Sequence, residues 1–114
     1  MYTRAQDCPV REGCLHHGSG ITKITDLATR EQMYNTARLF ARITLEPGCK
    51  IGYHLHENEV EFYYILQGEA VLVDNGQEVI LYPGDVSATA SGESHSLENR
   101  GTETVELMAL VVLQ

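Results

Sequence analysis

Ala37, Leu39, Ala41, Ile43 and Leu45 alternate along the chain with Arg38, Phe40, Arg42 and Thr44. Side chains two apart share one face of a strand, so this period of two predicts a strand with one buried face. Residues 61–66, with their aromatic and β-branched content, also read as a strand, and 70–73, 78–82, 86–90 and 95–99 are short and strand-like. Glycines at 68, 76, 84, 92 and 101 fall at steps of eight or nine residues, and Asp74-Asn75-Gly76, Pro83-Gly84-Asp85 and Ser91-Gly92 give turn signals. Short strands at that interval predict an all-β antiparallel barrel or jelly roll. Only residues 25–34, TDLATREQMY, offer a short helix.

Residues 107–113 break the half-buried pattern, because both parities are apolar. A strand of a single sheet with one face in water is not built that way, so something covers its second face. The N-terminal segment or a partner subunit would serve, and a large two-sided apolar strand points to a homodimer. The 114 residues fit one domain, with no repeat, low-complexity stretch or linker. Residues 1–36 are expected to pack on the barrel or on a partner, and residues 37–114 to form the β-barrel itself.

Charge narrows the partners. The formal net charge of −8 argues against nucleic acid and anionic membrane surfaces, both of which need a basic face. The longest apolar run, residues 107–113, is far below the length of a membrane span, and the polar start MYTRAQDCPVRE lacks the apolar stretch of a signal peptide. A cytoplasmic protein is expected. Three cysteines, Cys8, Cys14 and Cys49, then read as free thiols. Cys8 and Cys14 lie near His16 and His17, but their spacing matches no paired zinc pattern.

The candidate chemistry lies in GCKIGYHLHENEVEFYYILQG, residues 48–68. On a strand His54 and His56 face the same way, and the polar Glu57-Asn58-Glu59 turns the chain back so that Glu61 approaches them. Two imidazoles and a carboxylate suit a first-row divalent cation. Tyr63 and Ile65 share the parity of Glu61 and are expected to line the cavity, with Phe62 and Tyr64 facing outward.

Two separated motifs across residues 48–99 resemble those of the cupin family. The first, a glycine, five residues, His-x-His, three or four residues, glutamate, six residues and a glycine, is met by Gly48, His54, His56, Glu61 and Gly68. The second is met by Gly84, Gly92, His95 and Asn99, with Ala90 where the family has proline. The resemblance implies a small β-barrel in which His54, His56, Glu61 and His95 converge on one metal. Imidazoles buried without such a partner would cost several kcal/mol. Three nitrogens and one carboxylate suit manganese, iron or zinc first, with nickel and cobalt as further options. On a six-coordinate ion four protein donors leave two positions, the footprint of a bidentate acid such as oxalate. The function expected is a metal-dependent enzyme, an oxidoreductase or an isomerase or lyase, acting on a small oxygen-rich molecule; the alternative is a non-catalytic module that binds a small molecule or the metal.

Overall fold

The computed structural model of the protein describes residues 1–114. After a single 3-10 turn at Ala5–Asp7 come ten strands: β1 Val10–Gly13, β2 Thr22–Asp26, β3 Ala37–Leu45, β4 Lys50–Leu55, β5 Glu59–Gln67, β6 Ala70–Asp74, β7 Gln77–Leu81, β8 Val86–Thr89, β9 Ser94–Glu98 and β10 Val105–Leu113. They form two antiparallel sheets, one of six strands in the order β1-β2-β3-β10-β5-β8 and one of four in the order β4-β9-β6-β7. This is a jelly roll. Its hydrogen-bond ladder does not run round a closed barrel, because the two sheets face each other as layers and side chains, not backbone pairs, fill the space between them.

The period of two works out as the sequence requires. Ala37, Ala41, Ile43 and Leu45 of β3 are buried, and so are Val105, Leu107, Ala109 and Val111 of β10. Ile51, Leu72 and Leu97 meet them from the smaller sheet. Each large aliphatic side chain taken out of water here contributes about 2 kcal/mol. The strand β10 is central, paired along its length with β3 on one side and β5 on the other. Its other face carries Met108, Leu110 and Val112, all half-buried on the outside of the larger sheet. There Leu110 lies between Phe40 and Phe62, and Met108 between Arg42 and Tyr64.

Turn chemistry fixes the register. The strands β6 and β7 are joined through Asn75 and Gly76, both at positive φ (49° and 86°), the conformation a two-residue hairpin demands. Asn58, at φ 59°, ends the connection after β4, so β5 begins at Glu59 and the three-residue turn lies one residue earlier than its sequence indicates, at 56–58. The helix expected over residues 25–34 does not form. Thr25 and Asp26 complete β2 beside β3, and although Thr29 and Gln32 exchange side-chain to backbone bonds in the manner of a capping box, the chain turns away at Tyr34 and Asn35, φ 52° and 56°.

Candidate metal centre

The two sheets deliver the motif residues from opposite walls. His54 of β4 lies directly across from His95 of β9 in the smaller sheet. His56 stands just past the end of β4, on the side of His54, while Leu55 between them is exposed. Glu61 comes from β5 in the larger sheet, opposite Thr89 of β8. Three of the four are deeply buried: His56 at 3 %, Glu61 at 5 % and His95 at 0 % exposure.

Their donor atoms converge. The Nε2 atom of His56 lies 3.0 Å from those of His54 and His95, and the latter two are 3.2 Å apart. One Glu61 oxygen is 3.0 Å from His95 Nε2 and 3.2 Å from His56 Nε2. The remaining pair, His54 and Glu61, lies within 4.8 Å. Donors about 2.1 Å from an octahedral ion stand about 3.0 Å apart when adjacent and about 4.2 Å apart when opposed, whereas tetrahedral donors at that radius stand about 3.4 Å apart. The short separations here therefore match adjacent octahedral positions.

Hydrogen bonds on the far side of each ring decide which nitrogen faces inward. His54 Nδ1 donates to the Gly52 carbonyl at 2.7 Å, and His56 Nδ1 donates to Glu59 at 2.6 Å. Carbonyl and carboxylate oxygens accept only, so both rings keep a bare Nε2 for the centre. His95 Nδ1 meets the buried Thr89 hydroxyl at 2.7 Å. Three nitrogen lone pairs and a carboxylate aimed at one another need a cation between them, so the residues fit a metal ion.

Electrostatics agrees. Burial pushes His54 down to about 4, so its ring is neutral at physiological pH. Burial acts to raise Glu61, but hydrogen bonds from His56 and His95 outweigh it and hold the carboxyl at about 2. His56 is raised by its hydrogen bond with Glu61, against burial, with Glu59 adding to the rise.

Tyr63 and Ile65 are 2 % and 1 % exposed and belong to the core. Tyr63 also stacks on His95, ring centroids 4.8 Å apart and planes within 5°, and burial followed by the nearby Glu61 charge raises its phenol well above the ordinary value. Three residues at the centre escaped the sequence reading. In the sequence Glu59 reads as a turn residue, and Arg38 only as a polar position of β3. His16 stacks flat on His54, centroids 3.7 Å apart, and burial lowers its pKa. No spacing rule links it to the site. His16 is nonetheless an exposed residue, covered only where its ring meets His54; the adjacent His17 is exposed as well, and Cys8, Cys14 and Cys49 are free thiols.

The second motif's asparagine is a clamp rather than a ligand. Fully buried Asn99 donates to the carbonyls of Leu45 and Glu103, both at 2.8 Å, and accepts from the Gly101 amide at 2.9 Å. Ala90, at the motif's proline position, uses the amide hydrogen that proline lacks: it donates to Glu93 at 2.8 Å. Glu93 also accepts from Asn75 at 2.8 Å, which ties this turn to the β6–β7 hairpin.

A family model of the cupin domain matches residues 41–112. The chain is a cupin. It is 48 % identical over 105 residues to the oxalate-binding protein of Thermotoga maritima, covering 92 % of this chain and 87 % of that one. A crystal structure from Thermotoga maritima, described as a predicted oxalate decarboxylase, superposes on this cupin with a TM-score of 0.95 at 43 % identity, both chains covered in full. The tetracenomycin polyketide synthase protein TcmJ of Streptomyces glaucescens is 30 % identical over 86 residues, 75 % of this cupin and 56 % of the relative.

Proposed function

We propose that this cupin holds one divalent transition metal through His54, His56, Glu61 and His95, and binds a small chelating dicarboxylate, oxalate foremost, at that ion. The observation that carries the reading is the convergence of four acceptor atoms at the spacing of adjacent octahedral positions. By simple counting, a divalent ion with one carboxylate keeps a net charge of about +1, which favours an anionic chelator despite the acidic surface. Two octahedral positions remain beyond the four donors, and a bidentate acid matches them. Oxalate is chosen because a relative covering most of the chain bears its name.

Elemental analysis of protein purified without chelators identifies the metal. Cobalt-substituted protein titrated with oxalate is then expected to change its visible spectrum, saturating at one oxalate per chain. A four-coordinate spectrum that no chelating acid moves would sink the proposal.

Catalysis is the second reading, favoured by one observation, the His16 ring stacked against His54. Decarboxylation of hydrogen oxalate would break the carbon–carbon bond and release carbon dioxide and formate, with one proton replacing the lost carboxyl group. Glu59 is held by Arg38 and His56, and the Tyr63 phenol is kept neutral, which leaves His16 as the proton carrier beside the donors. Formate release that disappears in His16→Phe while oxalate binding persists supports turnover; binding without formate supports a binding module.

The same proposal includes a homodimer. Phe40, Leu110 and Phe62 form one row across the outer face of the larger sheet, and Arg42, Met108 and Tyr64 the next, with Phe40 37 % and Tyr64 46 % exposed. An apolar centre with Arg42 and Glu106 on its rim is complementary to itself across a two-fold axis, as an isologous interface requires. Light scattering on the unaltered protein is expected to give twice the chain mass, and Leu110→Lys the single mass; a monomeric parent at high concentration refutes this part.

A further inference from the structure

The ladder between β3 and β10 slips at one place: Val111 faces Leu39 and Val112 faces Ala37, so Arg38 between them has no partner of its own. A bulge of this kind turns one side chain out of its regular direction. The redirected guanidinium crosses the end of β10 and grips Glu59, the first residue of β5, through Nε at 2.7 Å and one terminal nitrogen at 2.6 Å. The end of β10 is itself fixed between the same two strands, with the Leu113 amide donating to Thr36 and the Gln114 amide to Asn58.

Glu59 is two residues from Glu61 and so faces the same side of β5. The oxygen that accepts from the Arg38 terminal nitrogen also accepts from His56 Nδ1 at 2.6 Å. An ordinary surface ion pair would leave that carboxylate in water, whereas the Glu59 side chain is only 13 % exposed and 42 % of the Arg38 side chain remains accessible. The carboxylate points inward and the cation holds it from outside. His54 and His95 have simpler partners, a backbone carbonyl and a hydroxyl. His56 alone among the three imidazoles has a charged partner at its Nδ1.

We propose that the β3 bulge, Arg38 and Glu59 form a positioning device for His56. Glu59 fixes the tautomer and orientation of the ring and makes its Nε2 a stronger donor, while Arg38 fixes Glu59. Partners of this kind behind a ligating histidine commonly change metal affinity 10- to 100-fold. The proposal rests on the metal reading above and adds two residues to it, both positioning residues rather than ligands.

The test measures cobalt affinity by competition with a chromophoric chelator at fixed pH. Glu59→Leu is expected to weaken binding about 10- to 100-fold. Glu59→Gln retains an acceptor for the Nδ1 hydrogen without its charge and should fall between Glu59→Leu and the parent. Arg38→Met should cost less than Glu59→Leu, and Arg100→Met, which breaks an ion pair on the outside of the smaller sheet, should leave affinity unchanged. Proton spectra of the cobalt protein give a second readout: the far-shifted, exchangeable Nδ1 hydrogen of His56 should broaden through solvent exchange in Glu59→Leu while those of His54 and His95 persist. Parent-like affinity with all three resonances sharp in Glu59→Leu overturns the proposal, and because Glu59→Gln preserves shape, a folding defect in the leucine variant leaves the comparison intact. Failure of the parent protein to bind cobalt would instead refute the metal reading itself.

Discussion

Substituting Gly52 by alanine separates the strap that covers the centre from the centre itself. Residues Leu15 to Ser19 run alongside β4, with the Gly52 amide donating to Leu15 at 3.1 Å, Ser19 donating to Lys50 at 3.1 Å and Lys50 donating to Ser19 at 2.8 Å. The approach is close enough that a Cβ on Gly52 would lie 1.8 Å from the His16 carbonyl oxygen, and one on Gly18 would lie 1.8 Å from the Lys50 carbonyl oxygen. Ordinary contact is about 3.5 Å, so a methyl group at position 52 must drive the strap off by about 1.7 Å. Three hydrogen bonds at about 1 kcal/mol each and a ring stack of about 1 kcal/mol are then lost. Against that, His16 and His17 sit in left-handed conformations, φ 52° and 55°, and their release returns about 1 kcal/mol each.

The net loss is about 2 kcal/mol, or about 8 °C in Tm for a chain of this size. Local readouts are larger than that figure conveys. Hydrogen exchange should show the amides of Ser19, Lys50 and Gly52 losing protection, and the His16 ring, whose pKa is lowered by burial, should titrate closer to the ordinary imidazole value. The Gly52 carbonyl that orients His54 survives the substitution, so metal should still be retained. Unchanged protection of these amides together with an unmoved His16 titration would show that the glycine pair does not set the strap.

Three further outcomes follow from the same geometry. Asn99→Ala leaves the buried Leu45 carbonyl without its partner and releases the Glu103 carbonyl and Gly101 amide at partly buried positions, and should cost about 2–3 kcal/mol in denaturant unfolding, with an undiminished midpoint counting against the clamp. Alanine at His54, His56 or His95 should each abolish metal retention in elemental analysis and Glu61→Gln should weaken it less; full retention in the double variant of His54 and His56 refutes the site. In metal-free protein, His54 and Glu61 have folded values, about 4 and about 2, below their ordinary 6.5 and 4.5, so each loses stability as pH falls through that interval, whereas raised His56 contributes fully below 6.5 and loses its contribution as pH rises through its folded value. The His56 contribution changes only above pH 6.5 and so does not offset His54 below it; stability should fall first between pH 6.5 and 4 through His54 and then between 4.5 and 2 through Glu61, the lower part flattening in Glu61→Gln.

What the sequence shows of the site and what it hides have different physical origins. His54, His56, Glu61 and His95 are legible because their spacing is set by strand parity and by turns whose residues announce themselves, as Asn75-Gly76 does. The three supporting residues depend on events that parity does not encode. A one-residue slip between Val111 and Val112 sends Arg38 out of its row, and no alternation of apolar and polar positions records a slip. The early start of β5 converts Glu59 from a turn residue into an inward-facing neighbour of Glu61. His16 reaches His54 only because two glycines let one backbone lie against another, which is a property of absent side chains.

The failed helix points the same way. Thr29 and Gln32 carry a genuine helix start, but a capped turn stabilises a helix by only about 1 kcal/mol, and the pairing of β2 with β3 claims Thr25 and Asp26 first. Ala90 follows the same logic at the second motif. Where a proline would stiffen the turn through its ring, this chain stiffens it through an amide hydrogen held by Glu93, and Glu93 is in turn held by Asn75. Ala90→Pro should accordingly lower the midpoint of denaturant unfolding, since proline removes the amide hydrogen that Glu93 holds and offers in return only a stiffer unfolded chain. Paired with Glu93→Ala, which removes that bond beforehand, the proline should cost nothing further, and a full additional loss in the double variant would show that the turn is held by something other than this amide.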